Sequence, residues 1–410
     1  MPVVRFVWGT SGSGLSDHAW RTAERTGAAW VGNDAAAHIS LLRATVAEEL
    51  AFAMEQRGVP GEEMRRRVDA ALTEWDLRGV AGDDPVTLST GQTRRVAVAQ
   101  ALLAAPGALV LDCPLDGFDA DAVRTLRRVL AGVPGPVTVY DRVRTPLADD
   151  AAEELELRPD GTLVAARAPE AVVPEAVLPE RGPVAGTAGG PAASPVLEAR
   201  EVSVRHGSFR LGPVSLAARG GEVTHLAGPN GAGKTTLMLA VLGLLPHAGR
   251  ITAPVAGWAP TAMDRSFLRR TVVEELSVGT TRRAAEVALG WAGLGRWRDT
   301  HPLDVPASDR RLLAVAAAVV RGPGLLLVDE PTVGLDAAGH GRLAELLRGF
   351  ASGGYHRALT AAGGRPLWVG HGGPGDGGRP AVLWTCHDAA FAGAVSDRGV
   401  TLARPGGPGR

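Results

Sequence analysis

Two stretches of this 410-residue chain repeat each other, and the repetition limits the fold more than any single motif does. The run RRVAVAQALLAAPGALVLDCPLDGFD after Thr93 echoes RLLAVAAAVVRGPGLLLVDEPTVGLD after Arg310, and TVAEEL at Thr45 echoes TVVEEL at Thr271. In each copy a helical run leads into a short all-apolar run ending in an aspartate, ALVLD at Asp112 and LLLVD at Asp329. Short continuous apolar runs of this kind are the pattern of strands buried on both faces of a parallel sheet. Both halves are therefore read as α/β. Residues 166–195 are dense in Pro, Ala and Gly without a hydrophobic period, which predicts an extended, semi-stiff linker between units 1–165 and 196–410.

The halves differ at their edges. The second begins with alternating stretches, VLEAREVSVRHG and FRLGPVSLAARGGEVTHLAG, that predict antiparallel strands ahead of its Gly-rich loop. The first reaches its own Gly-rich stretch by Gly9 and so lacks that leading β-subdomain. A further Gly-rich stretch at 353–378 is expected to be a mobile surface loop.

The composition, 45% hydrophobic and 21% charged, suits two cored domains, and a formal charge of -1 with both signs scattered gives no stripe for nucleic acid or an anionic membrane. Cys113 and Cys386 form neither a metal-ligand spacing nor a disulfide framework, which fits a reducing cytoplasm. The long uncharged stretches, such as 96–111, are too short to span a bilayer, and the N-terminus lacks a leader pattern, so membrane contact would need a partner. All 43 basic residues are arginine except Lys234.

That lysine sits in GPNGAGKTT, comprising Gly228, Pro229, Asn230, Gly231, Ala232, Gly233, Lys234, Thr235 and Thr236. The segment follows the apolar strand VTHLA and precedes the helical run LMLAVLGLL, the context that the G-x-x-x-x-G-K-[ST] pattern requires. Glycines let successive N–H groups turn inward around phosphate oxygens, Lys234 supplies a point charge to the β/γ-phosphates, and the Thr235 hydroxyl can ligate Mg²⁺. An exposed Gly-rich turn is the bland alternative, but the placement of the one lysine argues against it. Downstream, LLLVDEP places Asp329 at a strand's carboxyl end, where it can hold Mg²⁺, and Glu330 beside it as a base for water attacking the γ-phosphate. His387, after another apolar run, joins the set as a γ-phosphate contact, although a histidine alone is more often structural.

The order GPNGAGKTT, VDEP, GLD at 334–336 and then His387 resembles the ATPase subunits of ATP-binding-cassette (ABC) transporters, and the resemblance covers nearly both halves. It implies two P-loop NTPase domains in tandem that use ATP and Mg²⁺. LSTGQ, with Ser89, Gly91 and Gln92, resembles the family's signature loop, which reaches ATP held by the opposite domain; Ser89 can equally be an ordinary helix N-cap. Departures from the family pattern segregate. In the first half Leu15 stands for the lysine, Cys113 for the glutamate, and Tyr140 or Asp141 for the histidine. In the second half VPASD at 305–309 faces LSTGQ in the repeat, and Asp309 is expected to add a negative charge near any phosphate.

Head-to-tail pairing, as the resemblance implies, puts the intact residues of both halves into one interface and the decayed ones into the other. The second half has no glutamine, so the family's Q-loop position falls by spacing to Thr261, and in the first half to Asn33. The adenine-stacking aromatic is replaced by His206. The expected function is an energy-coupling ATPase on the inner face of the cell membrane, working with separately encoded integral-membrane subunits and most similar to energy-coupling-factor importers. The alternatives are a soluble tandem ABC protein acting on ribosomes or nucleic acid, and a regulatory cassette with little turnover.

Overall fold

The computed structural model describes residues 3–166, 195–207, 209–261, 267–369 and 378–403, and the chain divides into two compact units, Met1–Val172 and Val173–Arg410. Of the stretch read as a linker, residues 167–194 lie outside the described residues.

The first unit runs β1 (Val3–Trp8), α1 (Leu15–Thr26), β2 (Ala29–Val31), α2 (Val46–Glu55), α3 (Gly61–Glu74), α4 (Thr90–Leu103), β3 (Leu109–Asp112), α5 (Ala120–Ala131), β4 (Val137–Asp141), β5 (Ala151–Leu157) and β6 (Leu163–Ala165). Its sheet has the order β2-β3-β4-β1-β5-β6, parallel except for the β5/β6 pair. The apolar runs are continuous because alternate residues feed two cores. Phe6, Leu109, Leu111, Val137 and Val139 pack with Leu50, Val96 and Leu126 of α2, α4 and α5 on one face. Val7, Val110 and Tyr140 pack with Leu15, Ala19 and Ala23 of α1 on the other.

The second unit runs β7 (Pro195–His206), β8 (Phe209–Arg219), β9 (Val223–Ala227), α6 (Lys234–Val241), β10 (His247–Thr252), β11 (Ala256–Ala259), α7 (Val272–Leu276), α8 (Arg282–Trp291), α9 (Ala307–Val319), β12 (Leu325–Val328), α10 (Ala337–Ala351), α11 (Gly354–Ala361), β13 (Ala381–Trp384), α12 (Ala389–Val395) and β14 (Arg398–Thr401). The parallel order β11-β12-β13-β9-β14 repeats the first five strands of the other sheet. An antiparallel sheet, β10-β7-β8, leads this unit, and the first unit has no counterpart among the described residues.

The duplication extends to the helix starts. Thr45 with Glu48 and Thr271 with Glu274 form the same reciprocal capping box on α2 and α7. Strand register then aligns the two units residue by residue. Asp112 faces Tyr140, whereas Val328 faces Trp384, so Asp329 faces Thr385. His387, two residues past Thr385, therefore corresponds to Arg142, two past Tyr140, and not to Tyr140 or Asp141 as expected from the sequence. The intervals differ because α11 and the segment after it intervene only in the second unit. The 353–378 stretch is likewise not one loop. Tyr355 and Leu359, one helical turn apart, are buried from α11, and the Tyr355 hydroxyl donates to Val320 O at 2.8 Å. Residues 370–377 of that stretch lie outside the described ones.

Candidate active site

The loop between β9 and α6 needs glycine for two reasons. Gly231 and Gly233 take φ of 77° and 95°, in the left-handed region, and a Cβ on Gly233 would come within 2.9 Å of Leu211 and 3.0 Å of Phe209. Pro229, Asn230 and Ala232 complete the loop, and Thr236 lies in the first turn of α6. Lys234 is folded back across it: Nζ donates to Gly228 O at 2.8 Å and lies 3.8 Å from Glu330 Oε1. Such an ammonium is already oriented toward the centre of the loop, where anionic oxygens replace a carbonyl at little cost.

The ends of β12 and β13 bring the remaining groups. Asp329 Oδ2 accepts from Thr235 Oγ1 at 2.6 Å and Thr261 Oγ1 at 3.1 Å, and Oδ1 accepts from Thr385 Oγ1 at 2.8 Å. A carboxylate and a hydroxyl in contact at the mouth of the loop form a hard oxygen donor set, which fits Mg²⁺. Glu330 takes φ of 48°, unusual for a non-glycine residue, and its Oε1 lies 3.2 Å from His387 Nε2. Burial pushes the Glu330 carboxyl up to about 7, partly opposed by Lys234 and reinforced by Asp329. His225 of β9 steadies the His387 segment through Nε2 and Cys386 O, 3.1 Å apart. His206 pairs in register with Phe209, and its side chain lies outside the described residues.

Thr385 was missed from sequence. It is fully buried, and its hydroxyl also accepts from Glu330 N at 2.8 Å, yet its partners lie some 55 residues away, with no motif linking them. Arg311 was missed for the same reason: its guanidinium bonds Thr261 O and Val333 O, as Arg94 bonds Gly32 O and Asn33 O in the first unit.

The first unit keeps the backbone of this site without its chemistry. Gly12 and Gly14 take φ of 89° and 75°, and Cys113 takes 50°, as at Gly231, Gly233 and Glu330. Leu15, in the lysine's place, is buried in the α1 core. Ser16, matching Thr235, receives Asn33 Nδ2 at 3.1 Å, and Arg142 pairs with Asp116 at 3.0 Å. What this unit does keep is the start of α4, where Ser89 and Gln92 close a capping box beside buried Gly91.

The matching start of α9 has lost those features. Pro306 offers no side-chain cap, and Ser308 turns inward to Asp336 at 3.0 Å. Asp309 also turns inward, accepting from Trp297 Nε1 at 2.7 Å and pairing with Arg296 and Arg342. Its charge is compensated inside the unit, contrary to the expectation that it faces a phosphate.

A parallel sheet with a glycine loop, a lysine and a strand-end Asp–Glu pair defines a P-loop nucleotide hydrolase. The family model described as ABC transporter matches residues 211–333. A putative ABC transporter ATP-binding protein of Streptomyces avermitilis is 32% identical, the match covering 91% of this chain and 77% of that protein. One from Streptomyces coelicolor is 29% identical with the same coverage. A putative HMP/thiamine import ATP-binding protein of Bacillus subtilis is 26% identical over 74% of this chain and 66% of its own. The chain belongs to the ABC transporter ATP-binding protein family and is an ABC ATPase.

In fold it is similar to the archaeal ribosome recycling factor aABCE1 in complex with stalk protein aP1, with a TM-score of 0.62 and 18% identity over 98% of this chain and 83% of that one. A structure described as RNase-L Inhibitor gives a TM-score of 0.63 with the same identity and coverage. These likenesses are of fold alone. Among the described residues no helix is long and apolar enough to cross a membrane.

Proposed function

We propose that this chain is the energy-coupling ATPase of a membrane ABC transporter, most similar to energy-coupling-factor importers, and that it holds one competent composite ATP site. The observation behind this reading is the segregation of function. Lys234, Thr235, Asp329, Glu330 and His387 converge in the second unit, while the helix start carrying Ser89, Gly91 and Gln92 survives in the first. In this reading a degenerate cassette (1–165) and a catalytic cassette (196–410) are joined by the 166–195 linker, and pair within one chain on the cytoplasmic face beside separately encoded membrane subunits. The relatives' names support the transporter role.

The residues divide the work by their chemistry. Amides of the 228–233 loop and Lys234 hold the β- and γ-phosphates, and His206 is placed for the adenine. Thr235 and Asp329 would hold Mg²⁺, which neutralises charge on the phosphoryl oxygens when bound. Glu330 accepts the proton of a water attacking the γ-phosphorus as the bond to the ADP oxygen breaks, and an affinity for protons near neutrality suits that task. His387 orients the Glu330 carboxylate and contacts the γ-phosphate. Ser89, Gly91 and Gln92 close the site from the other unit through the amides opening α4.

Calorimetry with a non-hydrolysable Mg-nucleotide is expected to find one tight site per chain, and E330Q to retain that binding while abolishing turnover. Two equivalent sites would overturn the composite reading. Capture from solubilised membranes is expected to bring integral-membrane subunits; salt-sensitive association with ribosomes instead would move the protein to another class.

A further inference from the structure

We propose that Thr385 is a positioning residue for hydrolysis: its single hydroxyl sets the geometry of both Asp329 and Glu330. The inference rests on the reading of Glu330 as the base. Thr385 follows β13, is fully buried, and its amide donates to Val328 O at 2.9 Å, so its Cα is fixed by the sheet. From that fixed point Oγ1 donates to Asp329 Oδ1 and accepts from the Glu330 amide, each at 2.8 Å. A hydroxyl has one proton to give, and here that proton is committed to Asp329.

Three threonines thereby surround one carboxylate. Thr235 from α6 and Thr261 beyond β11 take Oδ2, and Thr385 takes Oδ1. With both oxygens held, the carboxylate plane cannot rotate without breaking a buried hydrogen bond.

The first unit shows what happens without that hydroxyl. Tyr140 stands in register at the place of Thr385, but its hydroxyl turns away to Thr22 and His18, at 2.9 Å and 3.0 Å. Asp112 there has one oxygen, Oδ2, buried without a hydrogen-bond partner. Cys113, at the Glu330 position, sends its amide to the main-chain Tyr140 O at 2.8 Å. The left-handed backbone persists in both units, so the fold imposes it. What differs is where its amide points, to a side-chain hydroxyl in the competent unit and to a backbone carbonyl in the degenerate one. Removing the Thr385 hydroxyl is expected to let the 329–330 backbone settle toward the Cys113 arrangement, carrying the Glu330 carboxylate away from the attacking water.

The test uses T385V, T385A, T385S and E330Q in the full-length protein. T385V and T385A are expected to bind one Mg-nucleotide per chain by calorimetry with affinity within about twofold of the parent, and to lose about 10- to 100-fold in kcat with little change in KM, the range typical when groups supporting a metal or catalytic ligand are removed. T385S, which keeps the hydroxyl, is expected to recover most of the rate. Intact binding stoichiometry separates positioning from lost folding, and T385A keeps the test valid where the extra methyl of valine disturbs the core. A T385A or T385V rate within twofold of the parent, or a T385S rate as low as that of T385V, overturns the inference. Undiminished turnover in E330Q instead overturns the reading on which it rests.

Discussion

Replacing Asp141 by Asn is expected to stabilise the first unit, increasingly so as pH rises. Asp141 ends β4, is almost wholly buried, and its Oδ1 accepts only the adjacent Arg142 amide, at 2.8 Å. Burial, aided by the Asp116 carboxylate and opposed by the Arg142 guanidinium, lifts its carboxyl to about 7, against an ordinary value of about 3.9. Below pH 4 the acid is protonated in folded and unfolded chains alike, and the site costs nothing. Between pH 4 and 7 the unfolded chain ionises first, so each pH unit removes about 1.4 kcal/mol of stability, and above 7 the loss levels off near 4 kcal/mol. Asn keeps the acceptor oxygen and cannot ionise. The advantage of D141N over the parent is thus expected to grow by about 2 kcal/mol from pH 5 to pH 7, where the folded carboxyl is itself half ionised, and to stay flat beyond pH 8. Because two units need not unfold together, the measurement is urea-dependent loss of amide-exchange protection in peptides covering 137–141 of the full-length protein, at pH 5, 6, 7 and 8. A difference independent of pH, or one that shrinks as pH rises, would refute the reasoning.

Other perturbations probe the remaining claims. K234R keeps the charge but brings a planar fork where a compact ammonium meets Gly228 O, and is expected to lose about 10²- to 10³-fold in turnover in a steady-state phosphate-release assay. C113S is expected to leave hydrolysis within about twofold of the parent, because burial holds the Cys113 thiol well above its usual range and serine can still donate to Asp112 Oδ1; a large rate loss would mean that the first unit takes part in the chemistry. R94M and R311M are each expected to destabilise their own unit, by about 1–3 kcal/mol by denaturation, since Arg94 ties its helix to Gly32 O and Asn33 O, and Arg311 ties its helix to Thr261 O and Val333 O.

How much of this was legible in the sequence depended on the distance over which each determinant acts. The Gly228–Thr236 loop could be read because its requirement is local: glycines at left-handed turns, then a lysine at the first helical position. The buried strands could be read because apolar runs feeding two cores leave no alternation. Asp309 shows the limit. Its charge is plain in the sequence, but the partners that cancel it, Arg296 and Arg342, lie on opposite sides of it along the chain and meet it only after folding.

Arg142 shows the same limit from another direction. Counting residues from Asp112 could not find the counterpart of His387, because one unit inserts a helix that the other lacks, whereas the strand register finds it directly. That register has a functional consequence. A guanidinium paired with Asp116 stands where the competent unit has an imidazole beside Glu330, and Leu15 stands where it has Lys234. The degenerate unit therefore lacks the lysine that would hold phosphate oxygens, and Arg142 is already engaged by a carboxylate. Restoring the lysine alone, by L15K, would place an ammonium in the apolar core of α1 without freeing Arg142 or supplying a glutamate at Cys113. For that reason we expect L15K to destabilise the first unit without creating a second hydrolytic site.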